Sequence, residues 1–195
     1  MLKAIKFLVL VLIALVLLAL LLRPVIRYEI IKNHWIKFPS VIPTSEWKNF
    51  LSSEGKFSVW LPGIPETTNI IIKVSDVELS QPCFFVWADR QTEYAVNYSD
   101  LPKNLEKLKP EQKFDLSQKS VTKEFGKIVY QQNQKFRDYP GREFEFVAGG
   151  KANYSGRVRL ILVNDRLYQM IVIFLTANPH TADRDTFFNS FRLQN

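Results

Sequence analysis

The chain has an ordinary globular composition, with its positive charge concentrated at one end. Its 195 residues, 47% of them apolar, suffice to bury a core, which excludes wholesale disorder. The formal net charge is +7, yet residues 41–195 hold 20 basic and 18 acidic side chains, so most of the excess lies in residues 1–40. A nearly neutral folded part does not favour a surface that follows phosphates, and we expect no nucleic-acid partner.

The first predicted element is a membrane anchor. Phe7–Leu22 is an unbroken apolar run of 16 residues, which as a helix spans about 24 Å of a hydrocarbon core about 30 Å thick. The run ends at Arg23 without a small-residue cleavage pattern. The sequence therefore predicts a retained anchor at residues 1–23, inserted in the lipid bilayer through Phe7–Leu22, and a juxtamembrane linker at residues 24–45. A cleaved signal peptide is the alternative.

The orientation of this anchor follows from its short N-terminal tail. Basic residues lie on both sides of the apolar run in similar numbers, so the positive-inside rule alone does not decide the topology. A very short tail before a first apolar segment usually stays in the cytosol. We therefore expect a single-pass protein whose C-terminal domain, residues 46–195, lies on the periplasmic, extracellular or thylakoid-lumen side.

The predicted domain starts with a short helix and continues with strands. Thr44 or Ser45 is a suitable cap for a helix that carries Trp47 and Phe50. Apolar and polar residues then alternate over Phe57–Leu61, and Pro-Gly ends that strand. Further strands are predicted at Ile70–Val74, Phe84–Ala88 and Glu93–Tyr98.

The middle of the chain has the spacing of one amphipathic helix. Phe114, Val121 and Phe125 are separated by seven and then four residues, which places them on a single stripe. Pro110 fits the first turn of this helix, and Gly126 fits its end.

The C-terminal half carries the clearest strand patterns. Tyr139-Pro140-Gly141 has turn chemistry, in which proline presets φ and glycine accepts a positive value. Phe144 and Phe146 alternate with Glu143 and Glu145, which predicts a strand with one wet face.

The remaining predicted elements are a hairpin and a final helix. Asn164-Asp165 separates two apolar runs and predicts a tight turn between strands. Ile171–Leu175 is apolar on both faces and is expected to be a central strand, covered on both sides. A last helix, capped by Asn178, is expected to dock Phe187, Phe188 and Phe191 on the sheet. The order of elements predicts an α+β domain with a mostly antiparallel sheet flanked by helices.

Four strings occur in an order that resembles the PsbP-like family: Phe57–Pro62, Tyr139–Phe146, Arg166–Gln169 and Phe187–Phe191. The resemblance covers about residues 45–195 and implies an α/β/α sandwich. The family is best known from an extrinsic subunit of photosystem II on the lumenal side of the thylakoid, and related domains resemble accessory, assembly or cargo-binding proteins. This chain departs from that soluble subunit by its apolar N-terminal segment, and no functional residue is carried over.

One candidate site lies at the start of the last helix. His180 and Asp183 are three residues apart, so with Asp185 they have the spacing of a metal cluster on a helix. The same acids also suit the positive end of the helix dipole, and we favour this structural role. A hydrolase in this part of the chain would have to use His180 as its base.

Three further sets of residues have both functional and structural interpretations. Arg157, Arg159 and Arg166 form either a basic patch for an acidic partner or ion pairs with Glu143 and Glu145, and we favour the pairs. Trp47, Trp60 and Trp87 either line an apolar pocket or pack in the core, which we favour. The lone Cys83 is expected to be a small buried side chain, and Asn97-Tyr98-Ser99 is a formal glycosylation sequon.

The sequence thus predicts a membrane-anchored accessory or binding protein without catalysis, acting on a membrane protein complex. We assign no catalytic, cofactor-binding or metal-binding residue and expect no cofactor. The alternatives are a carrier of a small apolar ligand and, less favoured, a hydrolase that uses His180.

Overall fold

A computed structural model describes residues 46–74, 77–89, 91–148, 154–176 and 181–194 of the chain. Every described residue belongs to one compact unit, Pro39–Asn195. Within the described ranges, no helix is long and apolar enough to cross a membrane. The predicted anchor and linker, residues 1–45, lie outside the described residues.

The domain contains ten strands and three helices in its described part. In chain order they are β1 (Lys48–Ser52), β2 (Phe57–Leu61), β3 (Glu66–Val74), β4 (Val77–Trp87), β5 (Thr92–Asp100), α1 (Lys103–Glu106), α2 (Pro110–Phe125), β6 (Lys127–Phe136), β7 (Tyr139–Val147), β8 (Tyr154–Val163), β9 (Arg166–Leu175), α3 (Thr181–Ser190) and β10 (Arg192–Leu193).

Seven strands form one large antiparallel sheet in the order β3-β4-β5-β9-β8-β7-β6. Strand β9 occupies the centre, which confirms the prediction for Ile171–Leu175. Its side chains alternate between two cores: Tyr168, Met170 and Val172 face one side, and Leu167 and Ile171 face the other. The antiparallel α+β class is therefore confirmed.

The two faces of the large sheet are covered by different layers. Helix α2 covers one face through Phe114 and Val121, as predicted. The other face is covered by helix α3 together with a second sheet of order β1-β2-β10. One outer layer is thus purely helical and the other is mixed, so the expected helix-on-both-faces sandwich is only partly realised.

The short helix predicted around Trp47 and Phe50 is wrong. Residues 48–52 form β1, which pairs with β2 in antiparallel register from Lys48↔Leu61 to Ser52↔Phe57. Trp47 packs edge-on against Tyr94 at 5.2 Å, and Phe50 packs on Phe84 at 4.8 Å. Pairing with a following strand, which also buries these rings, outweighs the local capping signal.

The predicted turn at Tyr139-Pro140-Gly141 is also wrong, because these residues begin β7. The chain reverses instead at Arg137, whose φ is +55°, between Phe136 and Tyr139, which pair across the hairpin. Gly141 is needed for space rather than for a positive φ: a Cβ there would lie 2.4 Å from the Phe136 ring and 2.6 Å from the Leu160 carbonyl oxygen. The glycine therefore makes room for the Phe136 ring, which approaches the β7 backbone closely at this position.

Candidate functional site

An open cleft of about 180 Å³ lies where the tip of the β6–β7 hairpin faces the end of α3 and β10. Its walls combine aromatic and basic side chains. The lining residues are Phe136, Arg137, Tyr139, Arg159, Ile161, Phe188, Asn189, Phe191, Arg192 and Leu193. Three of these described lining residues are arginines, and none of them is acidic, so the cleft suits an anionic ligand.

Arg159 forms the floor of the cleft and is held rigidly. Its guanidinium carbon lies 4.5 Å from the ring centre of Phe136 and 5.0 Å from that of Phe188, so an aromatic ring packs near each side. Nε donates to Glu143 Oε2 at 3.0 Å, and Nη1 donates to the Phe188 carbonyl at 2.8 Å. Nη2 forms an ion pair with the same Oε2 at 2.9 Å. Burial lowers the pKa of Arg159, but a guanidinium keeps its charge at any physiological pH.

Glu143 bridges Arg159 to a second arginine. Its Oε1 accepts from Arg157 Nε at 2.7 Å and also from Arg157 Nη2. Arg157 reaches on to Asp185 Oδ1 of α3 at 3.1 Å and lies 5.3 Å from the Phe188 ring centre. The side chain of Glu143 is only 6% exposed, so the wet face predicted for this part of β7 is wrong: α3 covers it.

This network confirms the interpretation of Arg157 and Arg159 as ion-pair partners. Glu143 serves both of them, and Glu145 lies 3.9 Å from Arg157 Nε. The charges of Arg157, Arg159, Glu143 and Asp185 cancel, so the network ties α3 to the sheet and leaves no net charge for a ligand. A buried pair of this kind needs all its partners, because a lone buried charge is costly.

The rim of the cleft is where positive charge is accessible. Arg137 is exposed at the hairpin tip, and Arg192 is exposed at the start of β10. Nη1 of Arg192 donates to the carbonyls of Asn189 and Phe191 at 2.6 and 2.8 Å, which fixes the arginine against the C-terminal end of α3. Carboxylates that carry an apolar neighbour match this combination of guanidinium rim and aromatic walls.

Arg166 belongs to a different contact. It forms a fork with Asp100, with Nε to Oδ1 at 2.6 Å and Nη2 to Oδ2 at 2.8 Å, and donates to the Glu54 carbonyl at 2.9 Å. The hydrogen bond with Arg166 lowers the pKa of Asp100. Arg166 therefore joins β5 and β9 to the β1–β2 turn and takes no part in the cleft.

The predicted cluster at the start of the last helix is only partly visible. His180 and the proposed cap Asn178 lie outside the described residues. Asp183 is half-buried on α3, and Asp185 is the ion-pair partner of Arg157. Among the described residues, no group of three metal-binding side chains comes together. The metal and hydrolase interpretations of His180 stay predictions.

The tryptophans do not converge on a shared pocket. Trp47 is buried beside Tyr94, whereas Trp60 is 47% exposed on the outside of the small sheet. Trp87 is half-buried at the end of β4. The expectation of core packing therefore holds for Trp47 and not for Trp60.

Two further sequence predictions concern the strands under α2. Cys83 is buried as expected, and burial together with the nearby Glu93 raises the pKa of its thiol to about 12. Burial raises the pKa of Glu93 itself to about 7. Asn97 is only 2% exposed on strand β5, so its sequon is closed to a glycosylation enzyme once the domain has folded.

Sequence reasoning missed most of the cleft. The residues that it did not single out include Phe136, Arg137 and Arg192. One signal was present: Arg137-Asp138 stands between two aromatic residues, which is the spacing of a two-residue hairpin. The approach of α3 to this hairpin has no local signal, because it depends on contacts across the sheet.

Comparison with known proteins shows a similarity to a solved structure but not to a known sequence family. No protein-family model matches the sequence, and no curated protein matches it either. Among solved structures, the chain is similar to cyanobacterial PsbP (CyanoP) from Synechocystis sp. PCC 6803, with a TM-score of 0.53 and 11% sequence identity over 78% of this chain and 95% of that one. At that identity the likeness concerns the fold, and the expected resemblance is confirmed at that level: the domain has the PsbP-like fold.

Proposed function

We propose that the chain is a noncatalytic accessory protein, tethered to a membrane by Phe7–Leu22, whose cleft binds an acidic segment of a membrane protein complex. The domain would lie on the periplasmic, extracellular or thylakoid-lumen side. The observation that carries the proposal is the cleft itself, where exposed Arg137 and Arg192 stand over aromatic walls and no described lining residue is acidic.

The proposed partner class rests on the fold and on the chemistry of the cleft. The PsbP-like resemblance supports an accessory role at a membrane complex, and the first complex to test is a photosystem. The cleft contributes the recognition: guanidinium groups bind carboxylates with geometry that a lysine cannot match, and aromatic rings accept apolar neighbours of the acid. An anchor adds a high local concentration near such a partner.

Charge reversal at the rim tests this proposal. We expect the double variant Arg137→Glu, Arg192→Glu to recover at least about tenfold less partner when a tagged full-length chain is purified from gently solubilised membranes, because repulsion replaces two charge-assisted bonds. The measurement is the amount of each co-purified membrane protein relative to the tagged chain.

A matched control is available on the other side of the sheet. Lys119 and Lys123 are exposed on α2, so Lys119→Glu, Lys123→Glu makes the same change of net charge away from the cleft. This control is expected to recover the partner normally. Equal recovery by both double variants, with unchanged thermal unfolding midpoints, would sink the proposal.

The carrier alternative has less support. The space between the sheet and α2 is filled by Phe114, Val121, Phe144 and Phe146, all buried. The cleft, at about 180 Å³, lies below the roughly 300 Å³ of the smallest usual ligand pockets. A short segment of a larger partner fits such a cleft better than an enclosed small molecule does.

A further inference from the structure

The outer face of the three-stranded sheet exposes large apolar side chains. Residues paired across antiparallel strands share a face, so Leu51 opposite Ser58 and Trp60 opposite Asn49 lie on the same surface. Leu51 is 56% exposed and Trp60 is 47% exposed. Ile64, in the connection just after β2, is 80% exposed. The inward residues of the same strands, such as Phe57 and Val59, are fully buried in the core.

Leu51 and Trp60 are diagonal neighbours on this face. Diagonal partners in an antiparallel pair are typically about 7–8 Å apart, close enough to form one patch. Scattered exposed apolar residues need no explanation, but adjacent ones indicate a contact surface. A tryptophan with an apolar body and one N–H donor is enriched where a protein meets the headgroup region of a bilayer.

The position of the patch in the chain indicates what it contacts. Residues 23–47, 25 in all, connect the end of the apolar run Phe7–Leu22 to the first strand of the domain. A linker of that length reaches no further than about 90 Å even when fully extended. Strand β1, which carries Leu51, is the first strand after the predicted anchor, and a linker of that length would keep the domain near the bilayer.

The charges near the patch are mixed. Lys48, Lys56 and Arg192 are exposed on or beside these strands, but so are Glu46 and Glu54. These five residues carry a net charge of only +1, too little for binding to depend on anionic lipid, so the apolar side chains must supply the attraction.

We propose that Leu51 and Trp60 dock the domain on the surface of the bilayer, as a second contact besides the anchor. The occupant of this face is the lipid headgroup region, and a tether makes even a weak intrinsic affinity effective. The inference assumes the membrane location of the proposed function, but binding to vesicles by the untethered domain is measured independently of the cleft and its partner.

The test uses the unit Pro39–Asn195, which is compact and has its own cores on both faces of the large sheet. It is mixed with extruded vesicles of phosphatidylcholine alone and sedimented. We expect the double variant Leu51→Ser, Trp60→Ser to lower the vesicle partition coefficient at least about tenfold, because each substitution removes an apolar side chain from the lipid. The fluorescence of the parent unit should shift to shorter wavelength with vesicles, and that shift should vanish in Trp60→Phe.

Strand β6 offers a closely matched control. Val129 and Tyr130 are 57% and 45% exposed at the far edge of the large sheet. Val129→Ser, Tyr130→Ser should bind vesicles like the parent. The proposal is overturned by absence of vesicle binding, by equal loss in both double variants, by binding that requires anionic lipid and disappears in salt, or by self-association in place of binding. Thermal midpoints within a few degrees of the parent establish that the variants are folded.

Discussion

At the scale of single residues, the contact between α3 and the large sheet depends on one buried carboxylate that is paired with two arginines. Glu143 accepts hydrogen bonds from Arg157 and Arg159, and the ring of Phe188 lies over both arginines. The sequence predicted that these arginines pair with Glu143 and Glu145. In the structure Glu143 stands opposite Arg159 and Glu145 stands opposite Arg157, on strands β7 and β8. The sequence did not indicate burial, because the helix that covers the pair is about 30 residues further along the chain.

Glu143 is the residue on which this network depends. We expect Glu143→Gln to lower the free energy of unfolding by about 3 kcal/mol, because two partly buried guanidiniums lose their anionic partner. Glu145→Gln is the control: that side chain is 44% exposed and only 3.9 Å from Arg157, so its loss should change the stability by less than about 1 kcal/mol. The free energies of unfolding of both variants are measured by urea denaturation. Equal losses of stability in the two variants would contradict the central role of Glu143.

Glu93 gives the stability of the domain a defined pH dependence. Its pKa is about 7 in the folded state, above the ordinary value of 4.5, so the folded state binds a proton more tightly than the unfolded state. Its contribution to stability is therefore complete below about pH 4.5 and falls as the pH rises to about 7. The difference corresponds to at most about 3 kcal/mol.

The variant Glu93→Gln tests this assignment. It should match the parent in urea unfolding near pH 4.5 and be more stable than the parent at pH 8, because the amide carries no charge to desolvate. A stability difference that is the same at both pH values would show that Glu93 does not titrate in this range. Burial alone raises the pKa of Glu93, so Cys83→Ala, which removes a neighbouring thiol whose own pKa the charge of Glu93 raises, should leave the pH dependence in place.

At the scale of elements, residue spacing and turn residues correctly predicted a helix and a hairpin that depend on neighbouring parts of the chain. Helix α2 runs from Pro110 to Phe125 and ends at Gly126, as its spacing and end residues indicated. The β8–β9 hairpin turns at Asn164, as predicted. Strand β6 was missed because its residues are largely polar and exposed, and strand β10 was missed because two residues carry no periodicity.

Gly126 illustrates how an element boundary is fixed. Its φ of 142° and ψ of −149° lie in a region that only glycine occupies readily, and a Cβ would meet the Val147 carbonyl oxygen at 2.1 Å. Both Gly126→Ala and Gly126→Asn should therefore destabilise the domain by about 2 kcal/mol or more in thermal or urea unfolding. Asparagine would rescue an ordinary left-handed cap, so a stable Gly126→Asn would contradict this explanation. Lys123→Ala, exposed in the last turn of α2, is the control.

At the scale of the whole molecule, the cleft and the apolar patch share the three-stranded sheet. Arg192 of β10 lines the cleft, and its cross-strand partner Ser58 lies beside Trp60 on β2. The cleft was not predictable, because it combines the β6–β7 hairpin with the end of α3 and β10, about 50 residues further along the chain. The patch was missed because residues 48–52 were assigned to a helix and not to a strand paired with β2. The sequence did predict the class of fold, since antiparallel hairpins and amphipathic helices are encoded locally.

The pairing of β10 with β2 has a consequence for how the protein is made. Leu193 pairs with Phe57, and the backbone N–H of Gln194 donates to the Lys56 carbonyl at 2.9 Å. One of the first strands of the domain is thus completed by residues near the end of the given sequence. During synthesis, β2 must wait for about 130 further residues before that edge is closed. The nascent chain therefore cannot complete its tertiary structure until nearly the whole domain has been synthesised, and a chain stopped before β10 leaves this edge of β2 unpaired.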